Sequence, residues 1–224
     1  MLSVVAWLSG CGGKSACRKV EKAVLSRLPE LIGRAESYAV KADCGMWDLM
    51  NGSVDGLHVE GRNVAVDGKY FVDELVVEMR DVRFDVGSQT LKSVRSTDVQ
   101  AVVSNESMLR FVNQGHPELK VSRITIAEGS LCAEAKPELM GFSAAVEVTG
   151  VLKALGDGKV DFVPRKVTAG GLPVPGMLAN NVVERFNPVL DFSKLRLPIT
   201  VTDIRLVDGK ALVTGTANLS RGIP

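Results

Sequence analysis

Long stretches of the chain alternate apolar and polar residues with a period of two, the pattern of β-strands that bury one face. The clearest alternation places Phe142, Ala144 and Val146 on one face of a predicted strand. The same pattern recurs over most of 36–104 and within 121–126, 142–163 and 199–216. The chain is therefore predicted to be mostly antiparallel sheet.

Three Asp-Gly-Lys triplets, at 67–69, 157–159 and 208–210, lie between such strands. Asp-Gly is a strong turn signal, so each triplet is predicted to join two long neighbouring strands. The apolar phase also shifts by one residue between Met79 and Val82. A strand absorbs such a shift only by a bulge or a bend, and bulges increase the coiling of a sheet.

The first of three predicted helices runs from about Ser15 to Leu28, is kinked or ended by Pro29 and is closed by Gly33. Its residues recur at helical spacing and form one apolar stripe. The stripe comprises Cys17, Val20, Val24, Leu28 and Leu31.

Two shorter helices are predicted further along the chain. One spans about Asn105 to Gln114, is capped by Ser104 or Asn105, and carries Phe111 beside its apolar positions. The other lies between Pro175 and Pro188, because proline suits a first helical turn and disfavours helix in the residue before it. Its apolar residues at every fourth position are Leu178, Val182 and Phe186.

Apolar helices within a mostly β protein need an apolar surface to lie against. We therefore predict an α+β fold in which a bent antiparallel sheet wraps around the amphipathic helices and buries their stripes along a groove. The domain is predicted over residues 16–217, after a signal or anchor segment at 1–15 and before a tail at 218–224. The stripes face either a solid core or an apolar cavity, and their spacing does not choose between the two.

Composition argues against nucleic-acid binding and against a metal site. The chain has 224 residues, of which 46% are hydrophobic and 5% aromatic, and its net charge of +1 provides no basic field for nucleic acid. The four cysteines do not have the spacing of a metal site, and only His58 and His116 could add imidazole ligands. No metal or other cofactor is predicted.

The N-terminus carries a candidate lipid attachment site. Leu8-Ser-Gly-Cys11 follows a short apolar stretch and resembles the lipobox of bacterial lipoproteins, in which the cysteine thiol carries diacylglycerol. The positively charged residues that precede a secretory apolar stretch are missing, so a frayed terminus with an incidental cysteine is the alternative. Gly13-Lys-Ser15 resembles the end of a phosphate-binding loop, but Leu8 stands where that motif requires glycine, so a nucleotide site is rejected.

If Cys11 is acylated, three cysteines remain: Cys17, Cys44 and Cys132. Buried or half-buried thiols are the favoured expectation for all three. A Cys17–Cys44 disulfide is the open alternative, since an extracytoplasmic location would permit it.

The last quarter of the chain closely resembles the bacterial LmeA-like phospholipid-binding family. The resemblance is carried by Phe162-Val-Pro-Arg-Lys-Val-Thr-Ala-Gly-Gly-Leu-Pro-Val-Pro175, Phe186-Asn-Pro-Val-Leu-Asp-Phe-Ser-Lys-Leu195 and Val207-Asp-Gly-Lys210, and more weakly by Asp81-Val-Arg-Phe-Asp-Val86. It covers about 16–217 and implies an extracytoplasmic envelope protein that binds phospholipid. It also implies a tubular lipid-binding (TULIP-like) fold with an apolar tunnel: one elongated domain in which a long, strongly coiled antiparallel sheet wraps around amphipathic helices.

The leading hypothesis is therefore a non-enzymatic protein of the cell envelope that holds phospholipid or another acyl lipid in an apolar groove and attaches to the membrane through Cys11. The expected lipid-binding residues are Val20, Val24, Leu28, Leu31, Phe111, Leu178, Val182 and Phe186, and plain core packing is the alternative for each. A structural envelope adaptor is the second hypothesis. A lipid or glycan hydrolase is the third, and it is disfavoured because the sequence has no Gly-x-Ser-x-Gly elbow and no acid–base pair that stands out.

Overall fold

The computed structural model describes residues 11–45, 52–85, 90–136, 138–139, 142–143, 145–156, 158–176, 183, 187–194 and 199–217. Two α-helices and two large antiparallel sheets account for most of these residues. The α+β class is thereby confirmed, and neither large sheet closes into a barrel in the part of the chain that is described.

The first helix, α1, spans Cys11–Leu31 and is longer than predicted. It continues through Pro29 to Leu31, so of the two expectations for this proline, a kink or an end, the end is wrong. The chain turns at Gly33, whose φ of 143° is accessible mainly to glycine. A Cβ atom here would lie 2.0 Å from the Ala65 carbonyl oxygen, so the close approach of the two chains also requires glycine.

The larger sheet, sheet I, has eight strands in the order β1-β3-β4-β6-β16-β15, with β2 paired to β3 and β5 to β4. Its strands are β1 (Gly33–Arg34), β2 (Ser37–Asp43), β3 (Ser53–Val66), β4 (Tyr70–Asp85), β5 (Thr90–Ser93), β6 (Ser96–Ser104), β15 (Ile199–Val207) and β16 (Lys210–Ala217). The predicted Asp-Gly-Lys turns at 67–69 and 208–210 join β3 to β4 and β15 to β16, as expected.

Of the two ways in which the phase shift in β4 could be accommodated, a bulge or a bend, the structure has a bend, which β3 shares. Asp81 has a positive φ of 49° inside β4, and Asn63 has a φ of 48° inside β3. The register between the two strands is the same on either side of both residues, so the strands shift their buried face together. Asp and Asn are the non-glycine residues that tolerate this left-handed conformation best.

The smaller sheet, sheet II, has six strands in the order β13-β12-β11-β8-β7, with β14 paired to β12. Its strands are β7 (Val121–Ala127), β8 (Ser130–Ala135), β11 (Val146–Ala154), β12 (Lys159–Ala169), β13 (Leu172–Pro173) and β14 (Leu190–Asp191). A two-stranded ribbon, β9 (Glu138–Leu139) and β10 (Phe142–Ser143), lies between β8 and β11 in the chain. The third Asp-Gly-Lys segment joins the neighbours β11 and β12, although Asp157 itself lies outside the described residues.

The second helix, α2, spans Asn105–Gly115, close to its prediction, and its N-cap is Ser104. The short 3-10 helices η1 (Pro117–Leu119) and η2 (Phe192–Lys194) complete the fold. Asp73 of β4 accepts hydrogen bonds from the Ser104 N–H (2.6 Å) and from the Ser107 hydroxyl (3.1 Å). These bonds fix the start of α2 on sheet I.

The two sheets meet where their hairpins touch. The Gly129 N–H donates to the Leu206 carbonyl at 2.9 Å, and the Gly209 N–H donates to the Ile126 carbonyl at 2.8 Å. Buried Ile126 and Leu206 share one apolar cluster at this junction. The end of the edge strand β7 is thereby bonded to the β15–β16 hairpin.

Candidate functional site

The apolar stripe of α1 packs on sheet I, as its spacing predicts. Four buried residues, Val54, Leu57, Val82 and Val94, form the floor of what we call the α1 cluster. The partly buried apolar residues around this floor are Val20, Val24, Val40, Ala42, Cys44, Met79 and Phe84. Helix and sheet therefore present a shared apolar surface that they do not fully cover.

Packing along the stripe is uneven. Leu28 is only 2% exposed and lies in a tightly buried cluster with Val59 and Leu75. Val24 and Val20, one and two turns closer to the N-terminus, are only half-buried. The helix is thus closely packed near its C-terminal end and more loosely packed over the α1 cluster.

Polar and covalent contacts hold this looser half of α1 in place. The Cys17 and Cys44 sulfurs are bonded in a disulfide, so the expectation of free thiols is wrong for this pair. The Glu21 carboxylate accepts a hydrogen bond from the Ala42 N–H at 3.1 Å, on the outer edge of β2. Two such attachments to β2 position the helix without requiring close apolar packing beneath it.

Phe111 lies in a different place from the α1 stripe. Its ring stacks on Tyr70, with centroids 5.1 Å apart, and Tyr70 also contacts Phe192 at 4.9 Å. These rings border a cluster formed by buried Val160, Leu190 and Val201, between the two sheets. The structure therefore brings Val20, Val24, Leu28 and Leu31 together on sheet I and places Phe111 in a second cluster.

The predicted residues Leu178, Val182 and Phe186 lie outside the described residues. Gly176, which precedes them, and Val183, which lies between Val182 and Phe186, have helical backbone. The Asn187 N–H donates to the Val183 carbonyl at 3.2 Å. The Asn187 side chain exchanges two hydrogen bonds with the Phe162 backbone, at 3.0 and 3.1 Å. The end of this segment is thus attached to β12, beside the second cluster.

The outer face of sheet I is charged instead. His58 Nε2 lies 2.9 Å from Glu60 Oε1 and His58 Nδ1 lies 3.7 Å from Glu78 Oε1. The hydrogen bond from His58 lowers the pKa of the exposed Glu60 carboxyl. This arrangement is that of a solvated strand face.

No group of three or more His, Cys, Asp or Glu side chains within the described residues could hold a metal ion. None of their helices is long and apolar enough to cross a bilayer. Cys11, the candidate lipid attachment site, is the first residue of α1.

The sheet half of the α1 cluster was not predicted as part of a site. Met79 and Phe84 flank the phase shift in β4 that the sequence does show, so the shift itself marks the place where the strand bends under α1. Tyr70 follows the turn at 67–69, and nothing near it in the sequence signals its contacts with Phe111 and Phe192.

Comparison with known proteins identifies the family of the chain. The model of the LmeA-like phospholipid-binding family matches residues 16–216. The chain therefore belongs to the LmeA-like phospholipid-binding family. No curated protein and no solved structure matches the chain significantly.

Proposed function

We propose that the protein binds phospholipid without catalysis and holds its acyl chains against the half-buried surface of the α1 cluster. Membership of a phospholipid-binding family over residues 16–216 is the observation that carries this proposal. Each buried methylene contributes about 0.8 kcal/mol, so an acyl chain needs apolar surface and no special chemistry.

The α1 cluster is favoured as the acyl site because its apolar side chains remain partly exposed. Val20 and Val24 from the helix face Met79 and Phe84 from the sheet across a shared floor. Leu28 is already covered by protein side chains, so its contribution is to packing. We further propose that Leu31, Phe111, Leu178, Val182 and Phe186 extend the apolar surface, as a tubular, TULIP-like wrapping of sheet around helices requires.

Bulky substitutions test the acyl site directly. Val24→Phe would fill space over the cluster while keeping it apolar, so we expect the lipid-to-protein ratio in native mass spectrometry to fall several-fold. Leu25→Phe is the matched control, because Leu25 is the next residue on the same helix and is already 40% exposed. Equal lipid content in both variants, or none in the wild type, would overturn the proposal, and the latter result would favour the adaptor hypothesis.

We also propose an extracytoplasmic location with attachment to the membrane through Cys11. The Cys17–Cys44 disulfide supports this location, since disulfides persist in oxidising compartments. Labelled palmitate should be incorporated by the wild type and not by Cys11→Ser. Equal labelling of both proteins would refute the anchor without affecting the acyl-site proposal.

A further inference from the structure

The tip of the β12–β13 hairpin carries an unusually exposed apolar residue. Leu172 is 73% exposed, more than Leu25, Leu155 or Val163. It follows Gly170 and Gly171, whose φ values of 58° and 80° form the turn. A Cβ atom at either glycine would meet nothing within 4 Å, so the tip stands clear of the described part of the protein.

The tip is held firmly despite this exposure. The Gly170 N–H donates to the Ala145 carbonyl at 2.8 Å, and the Val174 N–H donates to the Val167 carbonyl at 2.9 Å. Leu172 and Pro173 pair with Ala169 and Thr168. A leucine presented on an ordered hairpin loses little further conformational entropy when a partner covers it.

Positive charge accompanies the tip. Arg165 and Lys166 are exposed on β12, where the pairing with β11 passes from Pro164 directly to Lys166 and leaves Arg165 in a bulge. The chain has no acidic residue between Asp161 and Glu184. The nearest carboxylate on the neighbouring strand is that of Glu147, which pairs across from Thr168 and lies 3.7 Å from the Cys132 sulfur. The hairpin therefore combines a protruding leucine with a local excess of cations.

We propose that this hairpin docks the protein on a bilayer containing anionic phospholipid, with Leu172 entering the acyl region and Arg165 and Lys166 meeting lipid phosphates. An apolar tip with cations further along the same hairpin matches the interface of such a bilayer. A protein partner that adds a strand is disfavoured. The Val174 N–H points towards β12, so the backbone nitrogen of position 173 points to the open edge of the hairpin, where an added strand would pair. Pro173 has no N–H to donate to such a strand.

The choice of a bilayer as the partner rests on the proposed function. Docking adds contact with the membrane surface, which the acyl site does not supply. A protein that exchanges phospholipid with a membrane must meet its surface. One leucine and two cations give weak, reversible attachment, as repeated exchange requires.

The test uses the full chain with Cys11→Ser, so that no acyl anchor contributes. Sedimentation with vesicles of phosphatidylglycerol and phosphatidylcholine should recover the protein, and pure phosphatidylcholine vesicles should recover much less. Leu172→Ser should lower the partition coefficient about tenfold. Leu155→Ser, at the opposite end of β12 and 45% exposed, is the matched control and should change it less than about twofold.

Removing the charges tests the other half of the proposal. Arg165→Gln with Lys166→Gln should lower binding to the anionic vesicles by about thirtyfold and leave the weak binding to phosphatidylcholine unchanged. Absence of wild-type binding to anionic vesicles, or equal losses in Leu172→Ser and Leu155→Ser, would overturn docking. Co-purified lipid, measured by native mass spectrometry, should be the same in Leu172→Ser as in the parent. Loss of docking with retained lipid therefore separates this proposal from the acyl site.

Discussion

Single asparagine side chains take the place of backbone partners at two strands of sheet II. Asn113 of α2 donates to the Val121 carbonyl at 2.8 Å and accepts from the Val121 N–H at 3.1 Å. Asn187 makes the same two-bond exchange with Phe162. A carboxamide carries both a donor and an acceptor, so it satisfies a strand residue that lacks a neighbour. These residues attach non-strand segments to the sheet at defined positions.

Tyr38 is a single side chain whose contribution to stability depends on pH. Its hydroxyl donates to the Gly33 carbonyl at 2.9 Å, and burial raises the pKa of this phenol to about 12. The contribution of neutral Tyr38 to stability is full below pH 10, the ordinary pKa, and is lost as pH rises towards 12. We therefore expect the difference in unfolding free energy between wild type and Tyr38→Phe to shrink over this interval.

Urea denaturation at several alkaline pH values measures that difference. Subtracting the unfolding free energy of Tyr38→Phe from that of the wild type removes the effect of lysine and arginine titration, which is common to both proteins. A difference that stayed constant from pH 10 to 12 would contradict a raised pKa for Tyr38.

At the scale of elements, α1 depends on the disulfide that ties it to the end of β2. Cys17 and Cys44 are separated by 27 residues. Closing a loop of this size is expected to stabilise the fold by about 3 kcal/mol, mainly by restricting the unfolded chain. Cys17→Ser with Cys44→Ser should lower the unfolding free energy by about that amount.

Reductant gives an independent measurement of how much the disulfide contributes to the unfolding free energy. Dithiothreitol should destabilise the wild type to the level of the double variant and leave the double variant unchanged. Cys132→Ser controls for thiol loss, because Cys132 is not disulfide-bonded. A wild type insensitive to reductant would show that the disulfide does not contribute to stability.

Local pattern predicted the elements well and their long-range contacts poorly. The α1 stripe, the α2 cap at Ser104 and the bend near Asp81 all follow from neighbouring residues, and the structure has each of them. The disulfide, the division of the strands into two sheets and the separation of Phe111 from α1 depend on residues far apart in the chain. The helix continues two residues past Pro29, beside Leu28 and Ile32, which pack in one buried cluster.

The same reasoning applies to the site. The helix half of the α1 cluster, Val20 and Val24, follows from helical spacing, whereas Met79 and Phe84 enter it only through the shape of the bent sheet. Whether each of these residues contacts lipid stays a prediction.

At the scale of the whole molecule, Tyr70 links the two sheets. Its ring packs between Phe111 of α2 and Phe192 of η2. Its hydroxyl donates to the Asp191 carbonyl at 2.8 Å and lies 3.3 Å from the Asp191 N–H. Asp191 belongs to β14, which pairs with β12 of sheet II, while Tyr70 begins β4 of sheet I.

This arrangement predicts that cooperative unfolding of the two sheets depends on Tyr70. Tyr70→Phe keeps the stacking and loses the hydroxyl, so it should cost about 1 kcal/mol of unfolding free energy. Tyr70→Ala should cost about 3–5 kcal/mol, because the ring contacts are lost as well. Hydrogen exchange should then show sheet II opening before sheet I in Tyr70→Ala, whereas both sheets should open together in the wild type and in Tyr70→Phe. Simultaneous opening in Tyr70→Ala would mean that the hairpin contacts at Gly129 and Gly209 suffice to couple the sheets.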